Sequence, residues 1–393
     1  MTDLSLLEAQ ADLLAGNVAG WEQSVINRIA KRIGKTGKMS IADVQSLNNI
    51  AIVKQDMKEI TKELAKVTGM NVSQIQQIYG NVITNQHLAN QSLYDYRGKK
   101  FVPFAENKDL QAIVRAYSKT TAGNMVNLSK IGASNLGILD ENGIFKPLEK
   151  FYADALDKAV LQVASGATDF HTAMRDTIVT MGGSGIRVSY PDTGITRRLD
   201  TAVRQSLLWG AKQASNEYNE MLYAELGCDG YEIDYHSNPR PSHEVMQGKQ
   251  YVVGKARTIK GVHFDSFDEA EELLNEYGCL HFKTPIICGI SEPTYSAKEL
   301  SNLKARDKQT YEIDGKTLTG YEATQAMRRL ETAVREQKGI REAAQNEGDK
   351  ELADKCTAKI KAYQAKYKEI AEISGIPPEP RRMSIPKGLS SVS

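Results

Sequence analysis

Apolar residues recur at three- and four-residue steps through Leu4, Leu7, Ala11, Leu14, Val18, Trp21, Val25 and Ile29. That spacing commits the start of the chain to a long helix with one buried face, ending near Gly34 and Gly37. It returns behind Ser40 with Val44, Leu47, Ile50, Val53, Met57, Ile60 and Leu64, and again behind Asn71 or Ser73 with Ile75, Ile78 and Val82. Asn107 opens another stretch through Leu110, Ile113, Val114 and Tyr117, and 148–165 and 171–181 complete the set. Met and aromatic side chains on these faces read as core, and His87 and His171, inside helical stretches, read as structural. Residues 1–181 are therefore expected to be a helical region that packs on itself or on partner subunits.

The pattern changes at Gly182-Gly183-Ser184-Gly185, which reads as a flexible joint because no Lys-Ser or Lys-Thr follows to make a phosphate cradle. Ile186 to Tyr190 alternates as a strand, Pro191 to Gly194 is a turn, and Leu199 opens a long helix to Leu226. Tyr231–His236 and Tyr251–Val253 are further strands, and Phe267–Tyr277 is a short acidic helix. Strands and helices mixed without regular alternation give an α+β module over 182–295. Asp314-Gly315 between Tyr311-Glu312-Ile313 and Lys316-Thr317-Leu318 signals a tight hairpin in a connector over 296–320. Two helices, 322–345 and 350–373, form an antiparallel helical hairpin over 321–375. The second buries Leu352, Cys356, Ile360, Tyr363, Tyr367, Ile370 and Ile373 on one face. Residues 376–393 are a tail, mobile or ordered by a partner from Arg381 onward. The fold class is α+β: a mainly helical N-terminal region, a compact α+β module and a C-terminal antiparallel helical hairpin.

Charge balance removes several classes of function. Lys and Arg together number 50 against 49 Asp and Glu, so no overall field draws the protein to nucleic acid or to an anionic membrane. No apolar run approaches the roughly 20 residues that span a bilayer, and Met1 to Ser5 lacks the features of a signal peptide, so a soluble cytosolic product is expected. Four cysteines in 393 residues make no disulfide framework, which fits a reducing compartment.

Polar chemistry concentrates between residues 228 and 288, which hold His236, His243, His263, His281, Cys228, Cys279 and Cys288. Within this stretch lies His236-Ser237-Asn238-Pro239-Arg240-Pro241-Ser242-His243. Its prolines push Asn238 and Arg240 out of helical space, so the chain is extended through Arg240. Ser242 then caps a short helix over His243–Gln247, which Gly248 stops in the left-handed conformation. Arg240 and His243 sit at a stiff corner suited to binding, to catalysis or to structural pinning. Cys279 and His281 are the one close pair of metal-ligand type. With His243 and Cys288 they form the candidate zinc set, against a competing reading of buried thiols and hydrogen-bonded imidazoles, and the expectation is no cofactor. No protease signature surrounds any of the cysteines.

These residues resemble the phage minor capsid protein 2 family, related to the Mu F-type minor head proteins of tailed phages. The likeness is carried over 196–386 by Arg198-Leu199-Asp200-Thr201-Ala202-Val203-Arg204 and Glu225-Leu226-Gly227-Cys228-Asp229. The Arg240-Pro241-x-His243 and Gln247-Gly248-Lys249 corner, Gly289 to Tyr295, Tyr321 to Gln325 and Pro380-Arg381-Arg382-Met383 continue it. The family shows Cys-x-x-Asn-Cys-Arg-His where this chain has Asn275, Gly278, Cys279, Leu280 and His281, so only Cys279 and His281 survive.

The resemblance implies a structural virion component, not an enzyme, placed in the phage head near the portal and aiding head assembly and the packaging or ejection of DNA. It implies the portal or the major capsid protein as partner, non-specific contact with phage DNA as a further one, and no membrane. Arg240, Pro241, His243, Gln247 and Gly248 would then be structural motif residues, with no catalytic residue and no metal. The competing readings are a virion-borne zinc hydrolase or nucleotide-using transferase, and a non-specific DNA-binding head protein.

Overall fold

The fold is known from a computed structural model that describes residues 5–45, 47–69, 72–130, 135–164, 170–190, 192–276 and 278–385. Its elements in chain order are α1 (Ser5–Gly37), α2 (Ile41–Gln45), α3 (Asn49–Val67), α4 (Val72–Ala89), α5 (Gln91–Arg97) and α6 (Lys108–Lys130). There follow β1 (Leu136–Leu139), β2 (Phe145–Pro147), α7 (Leu148–Ala164), α8 (Phe170–Ser184), β3 (Arg187–Tyr190), β4 (Ile195–Arg198) and α9 (Leu199–Leu226). Next come β5 (Gly230–Ile233), β6 (Gln250–Val252), β7 (Arg257–Ile259), β8 (Val262–Ser266), α10 (Asp268–Leu274) and β9 (Lys283–Ile286). The last are α11 (Ala297–Asp307), β10 (Thr310–Ile313), β11 (Lys316–Thr319), α12 (Gly320–Asn346) and α13 (Lys350–Ser374). The fold is α+β, with a helical N-terminal region, as expected.

Two compact units make up the chain, one from residues 1–11, 70–123 and 205–325, the other from 12–69, 124–204 and 326–393. In the second unit the apolar stripe of α1 is buried through Val18, Trp21, Val25, Ile29 and Ile33. Trp21 Nε1 donates to the Ile60 carbonyl at 3.1 Å, so the indole is buried with its one donor satisfied. The expected second helix is in fact two, because Asn48 Oδ1 accepts from Ala51 N and caps a new start at α3. A four-stranded antiparallel sheet in the order β2-β1-β3-β4 also belongs here. It includes a hairpin, β1–β2, inside the stretch expected to be mainly helical. The antiparallel hairpin of α12 and α13 is present, tied by Tyr367 Oη to Glu331 Oε1 at 2.9 Å. On α13, Ile373 departs from the expected buried face and is exposed.

The glycine run at 182–185 is not a joint. Helix α8 continues through Ser184, and a Cβ on Gly182 would overlap the Ile340 side chain, so the glycine allows close packing. Likewise the tail is ordered further than expected. Pro380–Met383 forms a 3₁₀ turn, Met383 is buried, and Lys338 Nζ donates to its carbonyl at 2.8 Å. Residues 386–393 lie outside the described residues.

The first unit holds the candidate site. Helix α9 takes the boundaries read from the sequence, and its buried Leu207, Leu208, Ala211, Ala214, Tyr218 and Leu222 form the core-facing stripe. Tyr79 Oη, on α4, meets Thr121 Oγ1 and donates to the Leu207 carbonyl, each at 2.9 Å. His87 is structural as expected: it is buried, meets the Val102 carbonyl through Nε2 at 2.9 Å, and stacks on Phe101. The sheet runs β7-β8-β6-β5-β9, with β6–β8 the one parallel pair. Its buried core joins Tyr231, Ile233, Met246, Tyr251, Phe267, Ala270, Leu274 and Cys279.

Candidate functional site

Strand β5 is buried at all four residues and delivers the chain into the corner that the two prolines stiffen. Asp234, just past it, donates from its backbone N to the Phe282 carbonyl at 3.1 Å. Its Oδ1 accepts from Phe282 N at 2.8 Å, which fixes the corner against the Cys279-Leu280-His281 loop. The corner itself differs from the sequence expectation. Asn238 is left-handed at φ 53, not extended, and Pro241, not Ser242, opens a single 3₁₀ turn over Pro241–His243. Proline at the first position explains this, since its fixed φ starts a turn and it needs no donor partner there. No helix forms over His243–Gln247. Gly248 does adopt the left-handed conformation, φ 69, and its N–H donates to the Ile233 carbonyl at 2.9 Å.

The corner directs two motif residues inward. His243 is 3 % exposed and Gln247 0 %, and they meet Cys279 at 2 % and His281 at 4 %. Glu276 Oε2 accepts from Arg240 Nη1 at 2.7 Å and from His243 Nε2 at 3.1 Å. Gln247 Oε1 accepts from the His236 backbone N at 3.0 Å and lies 2.9 Å from His281 Nε2. A backbone N–H can only donate, so the amide oxygen is correctly assigned and His281 carries its proton on Nε2. His281 Nδ1 then faces Cys279 Sγ at 3.7 Å. His236 stacks on His281 with centroids 4.3 Å apart and pairs through Nε2 with Asp234 Oδ2 at 3.1 Å. Below the loop, the fully buried Lys212 Nζ donates to the Leu274 and Cys279 carbonyls at 2.6 and 2.9 Å.

Electrostatics separates the three imidazoles. Burial, reinforced by His236, His243 and Lys212, pushes His281 down to about 2, so it is a neutral ring. Burial also lowers His243, against the raising pull of Glu276. His236 is raised: burial would depress it, but the hydrogen bond and charge of Asp234 outweigh that.

The candidate zinc set is thus partly assembled. His243, Cys279 and His281 present ligand atoms within 4.8 Å of one another, and Asp234, His236 and His281 form a second such group. Cys288 does not join them. It lies in a separate apolar cluster with Val252, Phe264 and Ile286, where burial pushes its thiol up to about 12. Sequence reasoning missed Asp234, Glu276 and Lys212. The signal for Glu276 was its position three residues before Cys279, but an acid at the end of an acidic helix reads as a solvated face.

Gly248→Ala should lower the stability of the protein by about 1–3 kcal/mol, since alanine is strained at positive φ. An added Cβ would also lie 2.5 Å from Leu300 Cδ1. Denaturant unfolding of the variant checks this, and an unchanged midpoint would count against the role assigned to the glycine.

Among comparisons with known proteins, a family model described as phage minor capsid protein 2 matches residues 10–371. No curated protein matches, and no solved structure matches.

Proposed function

From its membership of the phage minor capsid protein 2 family, to which this chain belongs across residues 10–371, we propose a place for it in the phage head near the portal. There it would assist head assembly and the packaging or ejection of DNA. Membership makes the protein a phage structural component that works among other virion proteins. The finer assignment, contact with the portal or the major capsid protein, is our reading. The observation that carries it is the extent of the family match, which takes in both compact units. Burial of His243, Gln247, Cys279 and His281 supports a structural role for the motif corner, because a substrate could not reach them without the corner opening. No described helix is long and apolar enough to cross a membrane.

Mass spectrometry of purified virions, combined with chemical cross-linking, tests the reading. The chain should be present at a few copies per particle and should cross-link to the portal or to the major capsid protein. Its absence from finished particles would overturn the assignment, and cross-links confined to tail proteins would remove the portal. If it also touches packaged DNA, affinity for duplex DNA should fall steeply as salt is raised.

A further inference from the structure

We infer that Cys279 Sγ, His281 Nδ1 and a nitrogen of His243 form a binding site for one zinc-type divalent cation, which clips the Cys279-Leu280-His281 loop to the proline corner. Zinc takes thiolate and imidazole ligands at about 2.3 and 2.0–2.1 Å in tetrahedral geometry, which sets the sulfur-to-nitrogen edge at about 3.6 Å. Cys279 Sγ and His281 Nδ1 stand 3.7 Å apart, and His243 offers a ring nitrogen within 4.8 Å of a ligand atom of each of those two residues. The pair is therefore already at ligand spacing, and His243 is the neighbouring imidazole that would complete the set.

The surrounding hydrogen bonds favour ligation. Gln247 Oε1 takes the His281 Nε2 proton and Glu276 takes that of His243 Nε2, so each ring is left with its lone pair on Nδ1. An acceptor holding the far nitrogen of a ligating histidine is the usual support of a metal centre. Gln247 provides a separate pointer. It is 0 % exposed, its oxygen is engaged at this cluster, and its Nε2 has no protein acceptor among the described residues. A solvent oxygen in the fourth coordination position would provide one.

The second group, Asp234, His236 and His281, is the weaker candidate. Asp234 and His236 already bond each other, and Asp234 Oδ1 is occupied by Phe282 N. On binding, the Cys279 thiol gives its proton to solvent and the sulfur lone pair forms the metal bond. One thiolate and two neutral imidazoles are the ligand chemistry of zinc, not of magnesium or calcium. The inference does not depend on where in the virion the protein sits.

The test is metal analysis of the purified full chain after incubation with zinc(II) and dialysis, with cobalt(II) substitution in parallel. We expect about one zinc per chain and a thiolate-to-cobalt charge-transfer absorption. Cys279→Ser should abolish the absorption and, like His281→Ala, remove the zinc. Gln247→Leu should weaken binding by about 10–100-fold through loss of the supporting acceptor. Cys288→Ser, outside the cluster, should keep both signals. Folded wild-type chain that retains no zinc and shows no cobalt–thiolate band overturns the inference. So does full zinc retention by a folded Cys279→Ser chain, including the case in which Asp234→Asn loses the metal instead.

Discussion

Arg198→Ala is expected to cost about 3–5 kcal/mol of stability, the penalty for removing one partner from a buried ion cluster. Arg198 is the last residue of β4, directly before α9, with its side chain 13 % exposed. Its Nη2 meets Glu22 Oε1 at 3.0 Å, its Nη1 meets Glu336 Oε1 at 3.1 Å, and Nε faces Asp200 Oδ1 at 3.7 Å. Arg335 Nη1 completes the group at 2.7 Å from Asp200 Oδ2. Glu22 and Asp200 are 8 % and 2 % exposed, so water cannot replace the lost guanidinium. Without it, Glu22 keeps only the Ile186 N–H, which it accepts at 2.9 Å. Gly185 belongs to the same design, since at φ 63 a Cβ would overlap the guanidinium.

The deficit should depend on pH. Glu22 is raised above the ordinary carboxylate value by burial, with Arg198 opposing. Its contribution is favourable below the unfolded value and is lost as pH rises through the folded one. Asp200 is lowered, because Arg198 and Arg335 outweigh its burial, so its contribution holds above the unfolded value and is lost as pH falls. In Arg198→Ala, Glu22 rises further and Asp200 loses its larger counter-charge. The variant should therefore be worst at mildly alkaline pH and recover part of the deficit at mildly acidic pH, as Glu22, raised further, takes up a proton. Denaturant unfolding at the two pH values reads this directly. At neutral pH the midpoint of thermal unfolding should drop by about 4–6 °C. A loss under about 1 kcal/mol, or one equal at both pH values, would mean the cluster is a solvated surface network.

Some of this architecture was legible in the sequence because local chemistry and tertiary packing agree there. The Asp314-Gly315 turn forms as read, with φ 54 and 68 at its two residues, as a primed hairpin turn requires. Helix α9 stops where Gly227 enters the left-handed region. Elements were lost where the local signal was short or contrary. Strands β1 and β2 have four and three residues, too few for alternation to show, although Asp140 Oδ1 accepting from Asn142 N and Ile144 N marks their turn. Strand β9, not assigned from the sequence, carries Pro285 and is an edge, where a missing ladder donor is tolerated. At the site, the prolines revealed the corner and the Cys-x-His pair revealed the loop. Asp234, Glu276 and Lys212 stayed hidden because an ionised residue shows its structural role only through its partners, most of which lie far along the chain.

Lys212→Met, the second large effect, should cost about 2–4 kcal/mol although methionine matches the stem of lysine in length and suits a buried site. The reason lies in what is left behind. Lys212 Nζ serves the carbonyls of Leu274, at the end of α10, and of Cys279, in the site loop. Helix C-terminal carbonyls have no partner within the helix, and buried without one each is penalised by its full desolvation. Against this stands the relief of no longer burying a cation, for burial lowers Lys212 below the ordinary lysine value. Two unsatisfied carbonyls outweigh that relief, since only one side of the interaction is removed. Hydrogen exchange should localise the damage: amides of residues 274–282 should lose protection in Lys212→Met while those of α4 keep theirs. Equal stability with unchanged protection in that segment would show that the loop holds its place without the lysine.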